Sequence, residues 1–390
     1  MQQLAQRATT LTPSLTLAID AKAKKLKAEG VDVCGFGAGE PDFDTPQFIK
    51  DAAVQALAAG FTKYTPSSGI PELRAAIAEK LKNDNGLDYK PSQIIVNCGA
   101  KHSCYNVVLA TCQAGDEVII PAPYWLSYPE MVKLADASPV VVETKEENGF
   151  KITADQFREA MTPATKLIIL NSPGNPTGSV YSREELQALA EVALEEDILM
   201  LSDEIYEKIT YDNTESVSLA SLNKDIYDLT ITVNGFSKAY AMTGWRLGYV
   251  AAPEPIATAI DSIQSHSTSN ATSFAQKGAL AALKGDQSFV GEMVKAFAER
   301  RAYMYDRLTK IPGVTCVKPM GAFYMLPNIS KCGLSSTAFC SKLLDEQKVA
   351  VVPGIAFGSD AHIRLSYACS MENIQKGLDR IEAFCKSLAQ

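Results

Sequence analysis

NGFSKAYAMTGWRLG, residues Asn234 to Gly248, sets Lys238 eight positions before Arg246. A lysine amine forms a Schiff base with a carbonyl, and an arginine holds a phosphate through two parallel hydrogen bonds. Taken at random, such a pair is a surface lysine beside a structural arginine. The surroundings argue otherwise. Small residues at Gly235, Ser237, Ala239, Ala241 and Gly244 let the backbone approach a bulky ligand, and the apolar run Leu229 to Val233 precedes the lysine. The stretch therefore reads as a buried strand that delivers a nucleophilic amine into a tight loop.

Outward from this strand, helical and strand patterns alternate, which predicts an α/β domain with a largely parallel sheet. Strands are expected at Ile94 to Asn97, Glu117 to Ile120, Lys166 to Leu170, Ile198 to Leu201, Leu229 to Val233 and Arg246 to Ala251. Helices are expected at Gly99 to Cys112 and, behind a serine cap, at Ser182 to Glu195. From Pro255 to about Thr309 the pattern is one long helical stretch. Short strands at Phe323 to Leu326, Val349 to Val352 and His362 to Leu365 then suggest a smaller α+β unit, and a basic helix is expected at Ile19 to Ala28. The expected architecture is a three-layer α/β/α large domain plus a smaller α+β domain formed by the N- and C-terminal segments. Its division is an N-terminal segment (1–45) packed on the small domain, a large ligand-binding domain (46–290) and a small C-terminal domain (291–390).

The composition narrows the function classes. A chain of 390 residues is long enough for two or three structural units. Its formal net charge of -8 argues against a general nucleic-acid footprint. No apolar run is long enough to span a bilayer and no signal-peptide pattern opens the chain, so the expected location is the cytoplasm, without membrane association. Nine cysteines lie scattered without metal-ligand spacing and read as reduced thiols; with three histidines, neither a metal site nor a Ser-His-Asp triad is supplied.

Four further motifs stand beside the lysine. Asp203 in LSDEIYEKI follows an apolar strand, with Tyr206 three residues on. A strand-end acid can be a helix cap, but a pyridine nitrogen needs a buried carboxylate to stay protonated, and a tyrosine hydroxyl can serve a ring oxygen. NSPGNPTG, Asn171 to Gly178, is a Pro/Gly turn in which Asn175 is held between prolines as a rigid amide. Gly99, Ala100 and Lys101 stand at a strand-to-helix junction, where backbone N–H groups favour phosphate. Trp125, in PAPYWLSYP, is either a core residue or an aromatic that stacks on a flat ring. Together with Lys238 and Arg246 these point to pyridoxal 5'-phosphate. Gly35, Gly37 and Gly39 imitate a dinucleotide fingerprint, but their spacing is G-x-G-x-G and Glu-Pro follows instead of a helix.

With these motifs in line, the chain resembles the class I aminotransferases among the fold-type I pyridoxal-phosphate enzymes, over essentially its whole length. SKAYAMTGWRLG resembles the Schiff-base lysine signature, NSPGNPTG the asparagine turn, SDEIY the pyridine-nitrogen acid and HIRLSYA the carboxylate arginine. The resemblance implies that Lys238 carries the cofactor and moves the substrate proton, and that Asp203 pairs the ring nitrogen. It places Tyr206 and Asn175 at the ring oxygen, Trp125 on the ring, and Gly99, Ala100, Lys101, Ser237 and Arg246 around the phosphate. Arg364 would bind the substrate α-carboxylate, with Gly39, Trp125 and Asn175 also lining the substrate pocket. Tyr64, in KYTPSSGIPELR, resembles the tyrosine that reaches the neighbouring subunit's phosphate, which implies a homodimer with shared active sites. Gly235 departs from members that carry a phosphate-binding serine at that position.

Thr16 and Lys101 match the branch of the family that reads PSxT…AGEPDFDTP and GAK or GGK, which implies dicarboxylic substrates. The expected reaction is aspartate:2-oxoglutarate transamination between amino acids and 2-oxo acids, with prephenate amination to arogenate as a second activity. Aminotransferases for aromatic or other amino acids and a cystathionine β-lyase-like enzyme share the same cofactor residues. A transcription regulator would need a helix-turn-helix unit ahead of AGEPDFDTP, and a non-catalytic module would not need Lys238, Asp203 and Arg364 together.

Overall fold

The computed structural model describes residues 4–13 and 15–388. A two-residue strand, β1 (Cys34–Gly35), precedes the main sheet. The main sheet comprises β2 (Ile94–Asn97), β3 (Glu117–Ala122), β4 (Ser138–Glu143), β5 (Thr165–Asn171), β6 (Leu199–Asp203), β7 (Thr230–Gly235) and β8 (Gly248–Ala251). Four short strands follow: β9 (Tyr324–Met325), β10 (Val349–Ala350), β11 (Val352–Pro353) and β12 (Ile363–Ser366).

The main sheet has the order β2-β8-β7-β6-β5-β3-β4. Neighbours from β7 to β4 pair in parallel, whereas β8 runs antiparallel to both β2 and β7. Every position of β7 and β8 and of the edge strand β2 is buried, as a sheet covered on both faces requires. Helices such as Ala100–Thr111 and Arg183–Glu195 pack against it. The second begins as its sequence predicts: Ser182 accepts from the Glu185 N–H while the Glu185 side chain accepts from the Ser182 N–H.

The smaller unit is built on a three-stranded antiparallel sheet, β11-β12-β9, and on a core that includes Phe297, Phe323, Phe339, Phe384 and Tyr367. The N-terminal segment joins it where β1 pairs in parallel with β10 and where Ala23 and Val33 pack on Leu344 and Ala350. The same segment also touches the large unit, because the Thr12 N–H donates to Glu130 at 3.1 Å and Arg7 pairs with Asp136 at 3.5 Å.

Three sequence expectations change. The strand expected at Val349 to Val352 is two, β10 paired with β1 and β11 paired with β12, because the chain passes from one sheet to the other at Val351. The long helical stretch is three helices, Glu254–Ser267, Ser273–Lys284 and Ser288–Leu308. Ser269 adopts a positive φ of 64° and Gly285 an extended backbone, φ -86° and ψ -171°, so the helical path breaks at both places; a Cβ on Gly285 would lie 2.4 Å from Phe48. The third helix touches both cores in its first turn, Val290 on the large-unit side and Phe289 on the small-unit side, and continues in the small-unit core at Met293, Phe297, Met304 and Leu308. The strand expected from Arg246 begins only at Gly248; Arg246 itself is left-handed, with φ 54°, at the end of a 3₁₀ turn.

Candidate active site

Asn171, Asp203 and Gly235 are the last residues of three adjacent parallel strands, β5, β6 and β7. In open α/β sheets, ligands bind outside the carboxyl ends of strands. Because β8 runs the other way, its first residue, Gly248, pairs with Asn97 and Gly235 at this same edge, which brings Arg246 there too. A cleft of about 600 Å³ opens at the edge. Its walls include Gly39, Ala100, Lys101, Trp125, Asn175, Asp203, Tyr206, Ser237, Lys238, Arg246 and Arg364, so most of the residues singled out in the sequence share one cavity.

Lys238 is partly buried, and its Nζ donates to the Gly39 carbonyl at 2.5 Å. The amine lies 5.7 Å from the Tyr206 ring centre and 5.8 Å from that of Phe323. Burial pushes its pKa down to about 8; Glu40 and Asp203 oppose that shift, while Arg364 and Arg246 add to it. An amine in this setting loses its proton far more readily than a surface lysine, as a nucleophile or base requires.

Asp203 is 3% exposed. Its Oδ2 accepts from the Tyr128 hydroxyl at 2.7 Å and, weakly, from the Cys104 thiol at 3.8 Å, while Oδ1 accepts from the Ile205 N–H at 3.2 Å. Burial raises its pKa, and the bond from Tyr128 is the largest effect lowering it. Tyr206, also buried, shares a hydrogen bond with Tyr324 between their hydroxyls at 2.9 Å.

Arg364 lies in β12 with Ile363 and Leu365 buried on either side. Its guanidinium donates to Asn175 Oδ1 at 3.0 Å and to the Gly37 carbonyl at 2.8 Å. Tyr324 and Phe357 face it, at 4.5 and 5.0 Å from its carbon to the ring centres. Its Nε is buried without a hydrogen-bond partner among the described residues. Lys101 stands over the Trp125 ring at 5.0 Å, and burial, with Arg246 nearby, lowers its pKa.

Gly99 sits at the start of the helix Ala100–Thr111 with φ 90°, and no side chain caps that helix. A Cβ on Gly99 would come 2.6 Å from the Arg246 guanidinium, so glycine leaves room for the arginine beside the free N–H groups. That is an anion cradle. Gly235 has a different reason: its Cβ would lie 2.8 Å from the Gly248 Cα, and Gly235 is not among the cleft-lining residues. The close approach of β7 and β8 accounts for glycine there.

Three predicted residues are not among those lining the cleft, of which Gly99 lies directly beside it, next to Ala100 and Arg246. Tyr64 is 88% exposed and does not line the cleft of its own chain. The side chain of Thr16 lies outside the described residues. Conversely, Tyr128, Tyr324 and Glu40 line the cleft without having been singled out. Glu40 accepts from the Thr243 hydroxyl at 2.8 Å. Tyr128 carried one sequence signal, its position three residues after Trp125 on a helical turn; the partners of the other two are distant in sequence. Among the described residues no cluster of His, Cys, Asp or Glu could hold a metal ion.

A family model for aminotransferase class I and II matches residues 31–381. An aspartate aminotransferase of Bacillus subtilis (strain 168) is 54% identical over 387 residues, 98% of each chain. An aspartate/prephenate aminotransferase of Nitrosomonas europaea is 48% identical, covering 97% of this chain and 98% of its own. The structure of an aspartate aminotransferase from Thermus thermophilus with maleate superposes with a TM-score of 0.95 at 44% identity, covering 98% of this chain and all of that one.

Proposed function

Because this chain belongs to the class I and II aminotransferases, we propose that its cleft transfers the amino group of aspartate to 2-oxoglutarate. The observation that carries the substrate is the presence of two cations, Arg364 and Lys101, on the walls of the cleft that holds Lys238. Two carboxylates of one small molecule match two such cations. Amination of prephenate, also a dicarboxylate, is the second activity we propose, supported by Lys101 and by the relatives named for it.

Pyridoxal phosphate is the cofactor of this family, and the residues present fit it. A buried carboxylate without a cationic hydrogen-bond partner suits a protonated ring nitrogen, and an uncapped helix start beside Arg246 suits a phosphate. When bound, the cofactor supplies an electron sink for charge developing at the substrate Cα. Lys238 Nζ would hold the cofactor in the resting enzyme, then take the Cα proton and return it one step away. Asp203 would balance the ring nitrogen, with Asn175 and Tyr206 donating to the ring oxygen. Trp125 would cover one face of the ring, and Gly99, Ala100, Ser237, Arg246 and the backbone N–H of Lys101 would surround the phosphate, which leaves the Lys101 amine for the substrate. Arg364 would orient the α-carboxylate, with Gly39 beside it, so that the Cα hydrogen faces Lys238.

Mixing the holoenzyme with aspartate alone tests the reading: its visible band should convert in a single half-reaction, whereas no spectral change would sink it. Lys101→Ala should lower kcat/KM for aspartate by about 10- to 100-fold, the range of a charge-assisted hydrogen bond, and leave an apolar amino acid nearly untouched. An equal loss for both donors would remove the distal-carboxylate role.

We further infer a homodimer with shared active sites. Tyr64 is exposed, and Val54 (62%) and Leu57 (43%), three positions apart on the helix Gln47–Ala58, give that helix an exposed apolar face suited to a second copy. Sedimentation should give about twice the chain mass, and Tyr64→Ala should weaken cofactor binding about tenfold while the dimer persists. Unchanged cofactor affinity would argue against a Tyr64 contact across subunits. The division into segments 1–45, 46–290 and 291–390 is the domain organisation we propose for this assembly. A cytoplasmic location is supported by nine unpaired cysteines; among the described residues no helix is long and apolar enough to cross a membrane.

A further inference from the structure

Asp203 has a hydrogen-bond partner from a distant part of the chain. Tyr128 lies on the helix Ser127–Leu134, 75 positions before the acid, and both side chains are buried, at 2% and 3% exposure. Burial and the neighbouring carboxylate hold the Tyr128 hydroxyl well above the usual phenol range, so it remains a proton donor throughout the working pH range. The same ring meets Trp125 edge to face, with centres 5.2 Å apart and planes at 84°, and the Tyr128 N–H donates to the Trp125 carbonyl at 3.0 Å. One side chain thus touches both the acid and the aromatic wall of the cleft.

We propose that Tyr128 is a positioning residue that keeps the Asp203 carboxylate ionised and fixes its placement relative to Trp125, a role that rests on the reading of this cleft as a pyridoxal-phosphate site. The reason is local. Oδ2 of Asp203 has only the hydroxyl at 2.7 Å and the weak thiol contact at 3.8 Å, and Oδ1 has one backbone N–H. Without the hydroxyl, the buried carboxylate would bind a proton more tightly and would draw the shared proton away from a ring nitrogen. The ring would then carry less positive charge and withdraw fewer electrons.

Tyr128→Phe keeps the ring and removes only the oxygen. The apoprotein variant should bind pyridoxal phosphate about tenfold more weakly, as expected for loss of a hydrogen bond to a charged group. In the holoenzyme, the pH-dependent transition of the visible band should move to higher pH, and kcat should fall while KM for aspartate changes less than about twofold. In an Asp203→Asn background, where no carboxylate remains to be kept ionised, adding Tyr128→Phe should change neither affinity nor spectrum. A Tyr128→Phe protein with wild-type affinity and transition pH overturns the proposal alone. So does an equal loss in the Asp203→Asn background, which would mean that the phenol acts by packing. A wild-type protein that shows no visible band with the cofactor overturns the functional reading, and this role with it.

Discussion

Lys238→Ala is expected to lower kcat for aspartate transamination by at least about 10⁴-fold, the upper end for a single acid–base group, because one amine both holds the cofactor and moves the proton. Borohydride treatment should fix cofactor to the wild-type chain and not to the variant. The amine's pKa of about 8 adds a pH signature. Below it Nζ is protonated and cannot attack; above it the free base predominates. Capture of pyridoxal phosphate by the apoprotein should therefore accelerate as pH rises through about 8 and then level off. A variant retaining a few per cent of wild-type kcat would remove Lys238 from the proton transfer.

Arg364→Lys should lower kcat/KM by about 10²- to 10³-fold for every amino donor, chiefly through KM. Lysine keeps the charge but loses the planar fork that reaches Asn175 and Gly37 together while lying between Tyr324 and Phe357. The generality of the loss separates this site from Lys101, whose effect depends on the donor's second carboxylate. Steady-state kinetics with aspartate and alanine, beside a melting curve for the variant, distinguish lost binding from lost folding. A loss confined to aspartate would exchange the roles assigned to the two cations.

The residues that could be read from sequence are those that follow apolar strands directly. Asp203 closes β6, Asn175 lies four residues past the end of β5, and Lys238 lies three past β7, so strand periodicity plus one polar position located them. Arg364 was legible for a related reason, since a charge between two core residues must face something polar. What escaped depends on contacts between distant segments. The Tyr206 and Tyr324 hydroxyls meet across 118 positions, and Glu40 meets Thr243 across 203; no periodicity carries such pairings. Arg246 was placed in a strand because RLGYVAA is apolar after its first residue, yet its left-handed backbone is what turns the chain into β8. The breaks near Ser269 and Gly285 were similarly masked by flanking residues of good helical pattern.

The helix Ser288–Leu308 is rooted in the small-unit core and touches the large-unit core through Val290 in its first turn, without interruption. Such an element behaves as a leaf spring. Sliding the two units past each other would tear its i to i−4 bonds, whereas a gentle curvature only lengthens those on one side. A tilt of one unit on the other would therefore strain this helix less than a slide. Such a tilt would shift Arg364, on β12, relative to Lys238, Asp203 and Asn175 at or just past the ends of β5, β6 and β7. A substrate bridging Arg364 and the sheet edge would couple the width of the cleft mouth to the curvature of that spring.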